Sequence, residues 1–125
     1  MSTPPVIRCR RVYDAPAPGD GLRVLVDRLW PRGLSREATA VDLWCRDLAP
    51  SDELRRWFGH RPERWEEFRR RYREELQART QVVQELLDRI GDSGRATLLY
   101  AARDTERNNA VVLKEYLLEQ PGIRQ

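Results

Sequence analysis

The chain is poor in several residue types, and each shortage narrows what it can be. Its 125 residues include one histidine, His60, one lysine, Lys114, one methionine and two cysteines, Cys9 and Cys45. A lone histidine and two cysteines, all distant in sequence, make a poor set of transition-metal ligands. No metal and no cofactor is therefore expected. The cysteines form no CxxC pair, so both are expected to pack as small apolar side chains in a reducing compartment. No apolar stretch approaches the ~20 residues of a membrane-crossing helix. The start, Met1-Ser2-Thr3-Pro4-Pro5, has neither the basic nor the apolar segment of an export signal. A cytoplasmic protein without membrane attachment is expected. Also missing are a phosphate-binding P-loop, GxGxxG, GxSxG and HExxH, so no reaction is announced by motif.

What is present suits one domain. A chain of this length can bury about two-thirds of its unfolded surface without staples. The net charge is +3, and the basic residues are almost all arginine. That balance permits contact with acidic ligands without selecting one.

Val6 to Tyr13 sets Ile7, Cys9 and Val12 against Arg8, Arg10 and Arg11, which predicts a first strand near a sheet edge. Asp14 to Gly21 holds two prolines and two glycines and reads as a loop. The valine-rich run Leu22 to Leu29 predicts a strand buried on both faces, ended by Trp30-Pro31-Arg32-Gly33. Ser35 can cap a short helical turn. Val41 to Ala49 reads as irregular with room for a short strand. Ser51, followed by Asp52 and Glu53, opens a helix that carries Leu54, Trp57 and Phe58 and stops at Gly59. Trp65, Phe68, Tyr72 and Leu76 then form one helical stripe, and Val82, Val83, Leu86, Leu87 and Ile90 a second. Whether 62–90 is one bent helix or two is left open. Ala96 to Ala102 predicts another buried strand, after which Asp104 or Thr105 caps a last helix bearing Ala110, Leu113 and Leu117. Residues 1–5 and 119–125 are expected to be loosely ordered. The order strand, strand, helices, strand, helix predicts an α/β fold: a small, mainly parallel central sheet flanked by helices in a single three-layer domain.

In such sheets ligands bind beyond the carboxyl ends of the strands. Two segments deliver polar residues there: Asp27 to Gly33, and Tyr100 to Thr105 with Asn108 and Asn109. If their strands are neighbours, the segments face each other across one crevice. Arg28 and Arg32 could grip a phosphate or carboxylate in bidentate fashion. Trp30 could stack on a planar ligand, and Tyr100, Arg103 and Asn108 would complete the binding set. The start of the last helix would add backbone donors. Asp27 or Asp104 could act as a general base if burial brought its pKa toward neutrality. Each has a structural reading as well. Asp27 and Arg28 can pair with Arg103 and Asp104, Asp104 can simply cap a helix, and Trp30 reads first as a core plug. The run Arg69-Arg70-Arg71-Tyr72-Arg73 invites nucleic acid, but Glu66, Glu67, Glu74 and Glu75 sit four residues away and favour a self-neutralised helix face.

The segments Val24-Leu25-Val26-Asp27-Arg28-Leu29-Trp30-Pro31-Arg32-Gly33, Leu48-Ala49-Pro50-Ser51 with Leu54-Arg55, Trp57-Phe58-Gly59-His60 and Leu98 to Asp104 resemble the bacterial family called domain of unknown function 488, in its YeaO-like branch. The resemblance spans about residues 6 to 118. It implies a compact α/β fold and no established activity. Members of the branch usually show leucine at position 45, lysine at 46 and histidine at 109, where this chain has Cys45, Arg46 and Asn109. The first departure supports a packing role for Cys45, and the last argues against acid or base chemistry at 109. More distant relatives carry a Cys-His-Arg segment near Asn108 and Asn109 that this chain lacks.

Three functions compete on these residues. The first is a small-anion (nucleotide, phosphate or carboxylate) binding domain or enzyme with its pocket at the carboxyl strand ends. The others are a nucleic-acid-binding accessory protein and an interaction module without catalysis, which needs an exposed apolar patch. The first is preferred. Oligomeric state is not set by the sequence.

Overall fold

A computed structural model describes residues 4–121. Four parallel strands make one sheet: β1 (Val6–Arg11), β2 (Leu22–Leu25), β3 (Leu43–Trp44) and β4 (Arg95–Tyr100), in the order β1-β4-β2-β3. β1 is an edge strand, as its alternating arginines foretold. β4 lies at the centre, with Leu22 opposite Ala96 and Leu25 opposite Leu99. β2 is four residues shorter than the apolar run predicts. The Val26 amide still donates to the Leu99 carbonyl, but the chain then bends at Asp27. Gly21 fixes where β2 begins. Its φ is 65°, and a Cβ there would lie 2.3 Å from the Arg95 carbonyl oxygen, so β2 can approach β4 only without a side chain.

The helices are α1 (Arg36–Thr39), α2 (Asp52–Phe58), α3 (Trp65–Gln77), α4 (Thr80–Ser93) and α5 (Asn109–Leu118). The stretch left open by its periodicity is thus two helices, broken at Ala78 and Arg79. α5 starts later than expected: its cap is Asn108, whose side chain accepts from the Val111 amide. Of the segments expected to be loosely ordered, 1–3 and 122–125 lie outside the described residues. Glu119 and Gln120 are tied to α5 through amide bonds to Tyr116 and Leu117.

Strand alternation divides the sheet into two faces. Ile7, Val24, Ala96, Leu98 and Tyr100 face the main core, which α2 to α5 cover with Phe58, Phe68, Tyr72, Leu86, Ile90 and Leu113 among others. Leu25 and Leu99 face the opposite side with Val12, under Trp30, Leu34, Val41 and Trp44. That third layer is built from α1 and loops rather than long helices. It also buries an ion pair within a run that reads as apolar. The Arg23 guanidinium binds the Asp20 carboxylate and the Thr39 carbonyl, and Asp20 also accepts from Arg10 (3.1 Å) and the Ala17 amide (2.9 Å). Asp20 and Arg23 are almost fully buried.

The arginine run of α3 is neutralised by acids. Arg70 and Arg71 bind Glu67, Arg70 also binds Glu74, and Arg69 and Arg73 reach Glu115 and Glu119 of the α5 segment. Glu75, expected to pair along the helix, instead accepts from the Ser51 amide (2.8 Å) and hydroxyl (2.6 Å). This bond ties the first turn of α2 to α3. Among the described residues no helix is long and apolar enough to cross a membrane.

Candidate functional site

β2 and β4 are neighbours, so the segments that follow them do meet at the carboxyl edge of the sheet. Asp27 is the joint between them. One carboxylate oxygen accepts from the Ala101 amide (2.9 Å) just after β4, and the other from the Asn109 side-chain amide (2.9 Å) at the start of α5. Asn109 uses the same nitrogen on the Val26 carbonyl (2.9 Å). The Trp44 indole donates to the Asp27 carbonyl (2.8 Å). One residue thus holds together the ends of β2, β3 and β4 and the first turn of α5. Burial raises the Asp27 pKa, opposed by the Asn109 and Ala101 bonds and by the charges of His60 and Arg55.

Beside this joint lies a cavity of about 480 Å³, within the range of small-molecule sites. Its charged border comes from two places. Arg28 and Arg32 arrive on the loop after β2, and Arg55, Arg56 and His60 arrive from α2 and the turn behind it. That turn is unusual. Gly59 ends α2 in left-handed geometry (φ 51°), and His60 follows at φ 58°. A second left-handed residue that is not glycine is uncommon, and this one lines the cavity with its ring 5.9 Å from that of Phe58. The remaining wall is mostly apolar, with Phe58 and Phe68 behind and Leu29, Trp30 and Tyr13 toward the mouth. Asn108, Asn109 and Asp27 supply its uncharged and acidic polar groups.

The border is cationic. Arg28 and Arg55 share one acid, Asp52, at 3.4 and 3.3 Å. No acid pairs with Arg32 or Arg56 among the described residues. The start of α5 also abuts the cavity through Asn108 and Asn109, adding the positive end of a helix dipole.

Of the residues read from sequence, Asp27, Arg28, Trp30, Arg32 and Asn108 line this cavity, and Tyr100, Arg103 and Asp104 do not. Strand alternation turns Tyr100 into the main core with Ala96 and Leu98. Arg103 is exposed. Asp104 accepts from the Arg107 and Glu106 amides and the Arg107 guanidinium, which hold its pKa below the ordinary range and far from that of a base. The anticipated pairing of Asp27 and Arg28 with Arg103 and Asp104 is replaced by the bonds above. Trp30 both packs against Trp44 in an edge contact and donates to the Leu34 carbonyl, closing the turn that Pro31 and Gly33 form. Arg55, Arg56, His60, Leu29 and Tyr13 were not singled out as site residues. The signal available was that Arg55 and His60 stand inside segments that carry the family resemblance. Among the described residues no cluster of three potential metal ligands occurs.

Fold and site together define an α/β domain with an arginine-bordered cavity at the carboxyl edge of a parallel sheet. The chain belongs to the family described as the inactive DUF488-N3 subclade, which matches residues 6–124. It is similar to the uncharacterized protein YeaO of Escherichia coli, 42% identical over 111 residues, 89% of this chain and 96% of that protein. It is equally similar to the uncharacterized protein Rv3073c of Mycobacterium tuberculosis, 42% identical over 111 residues and 92% of that protein. No solved structure matches the chain.

Proposed function

We propose that this protein is a binding domain for a small anionic compound, held in the cavity at the carboxyl ends of β2 and β4 without being chemically changed. The carrying observation is the charge on the cavity border. Four arginines meet there, two share a single acid and two have none among the described residues. Guanidinium groups suit phosphate and carboxylate because their paired donors match two oxygens at once. Two points favour binding over catalysis. The subclade is described as inactive, and both oxygens of Asp27 already serve structural donors. The cytoplasm is the proposed setting. Cys9 and Cys45 are unpaired, and burial pushes both thiols up to about 11, which keeps them protonated and unreactive there.

The test is a thermal-shift series with inorganic phosphate, carboxylates, sugar phosphates and nucleotides, run on the natural protein and on Arg32→Ala. A compound at 100 times its Kd should add about 2.7 kcal/mol, a rise of roughly 5–20 °C for a domain this size. A rise with a phosphate or carboxylate that Arg32→Ala reduces is the expected outcome. No rise with any anion would end the anion reading.

A further inference from the structure

Among the described residues few large apolar side chains are exposed, and two of the three stand at one place. Among the described residues only Val6, Tyr13 and Leu29 are large apolar side chains with high exposure, and Leu29, at 59%, is the most open. Tyr13 and Leu29 both stand at the mouth of the arginine-bordered cavity. Both aromatic rings near the mouth are pinned. The Tyr13 hydroxyl donates to the Arg32 carbonyl (3.1 Å), and the Trp30 indole donates to the Leu34 carbonyl (2.7 Å). Most of the cavity's wall is apolar, with Phe58 and Phe68 at the back. Arg11 lies over the Tyr13 ring (5.1 Å) and Arg36 over the Trp30 ring (5.4 Å), so Leu29 is the apolar side chain at the mouth that a wholly polar ion would leave most exposed to water.

The uncharged polar side chains of the wall are largely spent on the protein itself. Asn108 receives the Val111 amide and donates to the Asp104 carbonyl. Asn109 gives its amide hydrogens to Val26 and Asp27. Little is left to meet the several hydroxyls of a bare sugar, each of which needs a partner when buried. The arginines, by contrast, ask for an anion.

We propose that the cavity takes a compound joining an anionic group to a flat apolar body, an aromatic phosphate of about mononucleotide size. The phosphate sits on Arg32 and Arg56, with Arg28 and Arg55 beside it, and the ring lies against Leu29, Trp30 and Tyr13. This rests on the anion-binding reading above and adds the half of the ligand that the arginines do not choose.

Isothermal titration calorimetry separates the two. AMP, CMP and phenyl phosphate carry both parts. Adenosine and phenol carry the body alone, and inorganic phosphate, pyrophosphate and ribose 5-phosphate carry the anion without a flat ring. At least one aromatic phosphate should bind at least about tenfold more tightly than ribose 5-phosphate and inorganic phosphate, the gain that ring stacking provides. Leu29→Ser, at an exposed position that leaves the fold intact, should shrink that advantage and leave inorganic phosphate unchanged. Arg32→Ala should weaken every phosphate. Equal binding of ribose 5-phosphate and the best aromatic phosphate would overturn the flat-body inference and leave the anion reading standing. Adenosine binding as tightly as AMP would overturn the anionic half. No heat from any phosphate-bearing probe would overturn both.

Discussion

Asp20 and Asp27 are both acids withdrawn from water, and their surroundings push them in opposite directions. Burial acts on each to raise its pKa. At Asp20 the Ala17 amide and the guanidinium groups of Arg10 and Arg23 outweigh burial and hold the carboxyl below the ordinary range. At Asp27 two neutral amide donors do not, and the carboxyl stays raised. The consequences for stability differ in sign. Asp20 is charged more readily folded than unfolded, so its contribution is present above the unfolded value of about 3.9 and drains away as pH falls through its folded value. Asp27 binds its proton more readily folded, so its contribution falls as pH rises from about 3.9 through its own raised value. Asp20→Asn should therefore cost about 3–5 kcal/mol at pH 7, because it leaves Arg23 buried without a counter-charge. The gap to the natural protein should narrow below about pH 4. Urea unfolding at pH 7 and pH 3 measures both, and an equal gap at the two values would show that the pair is not what stabilises this face.

At the scale of elements, α5 is the one whose start bears on the site. Its cap, Asn108, is 2% exposed, accepts from the Val111 amide and donates to the Asp104 carbonyl, so it joins the loop after β4 to the helix. Asn108→Ala should lower stability by about 1 kcal/mol, and Asn108→Ser, which keeps an acceptor at the cap, by clearly less. Thermal melts of the two variants decide this, and equal losses would show that the amide contact to Asp104 matters more than the cap. The Ser51 and Glu75 bonds act similarly for α2. They fix the helix from which Arg55, Arg56 and His60 reach the cavity, although neither residue lines it.

Across the whole molecule a net charge of +3 is distributed unevenly. On α3 the arginines are matched by Glu67, Glu74, Glu115 and Glu119, whereas the cavity border keeps cations that no acid answers among the described residues. A duplex would have to displace those acids before α3 could neutralise any phosphate. Fluorescence anisotropy with a labelled 20-base-pair duplex at physiological salt should show a Kd no tighter than about 10⁻⁴ M, the weak end of sequence-independent binding. Replacing Arg69 and Arg73 with alanine should leave it unchanged. Micromolar binding lost in that double variant would instead make α3 a nucleic-acid surface.

Much of the architecture is written in local pattern. The periodicities of Ala96 to Tyr100 and of Trp65, Phe68, Tyr72 and Leu76 identify strand and helix because each residue's apolar face must be buried wherever the element lands. The caps at Ser35 and Ser51 are equally local, since a helix start needs an acceptor within three residues. That a cavity opens at the carboxyl ends of β2 and β4 follows from the class of fold. Other features needed the folded chain. The short β2 reflects an Asp27 carboxylate whose partners stand 74 and 82 residues away. Arg23 looks like an interruption of an apolar run until Asp20 and Thr39 meet it across the loop. Arg55, Arg56 and His60 join Arg28 and Arg32 only because α2 docks beside the bend after β2. Element identity depends on neighbours along the chain and is legible there. The site depends on contacts between distant segments, whose charges and bonds are settled by packing.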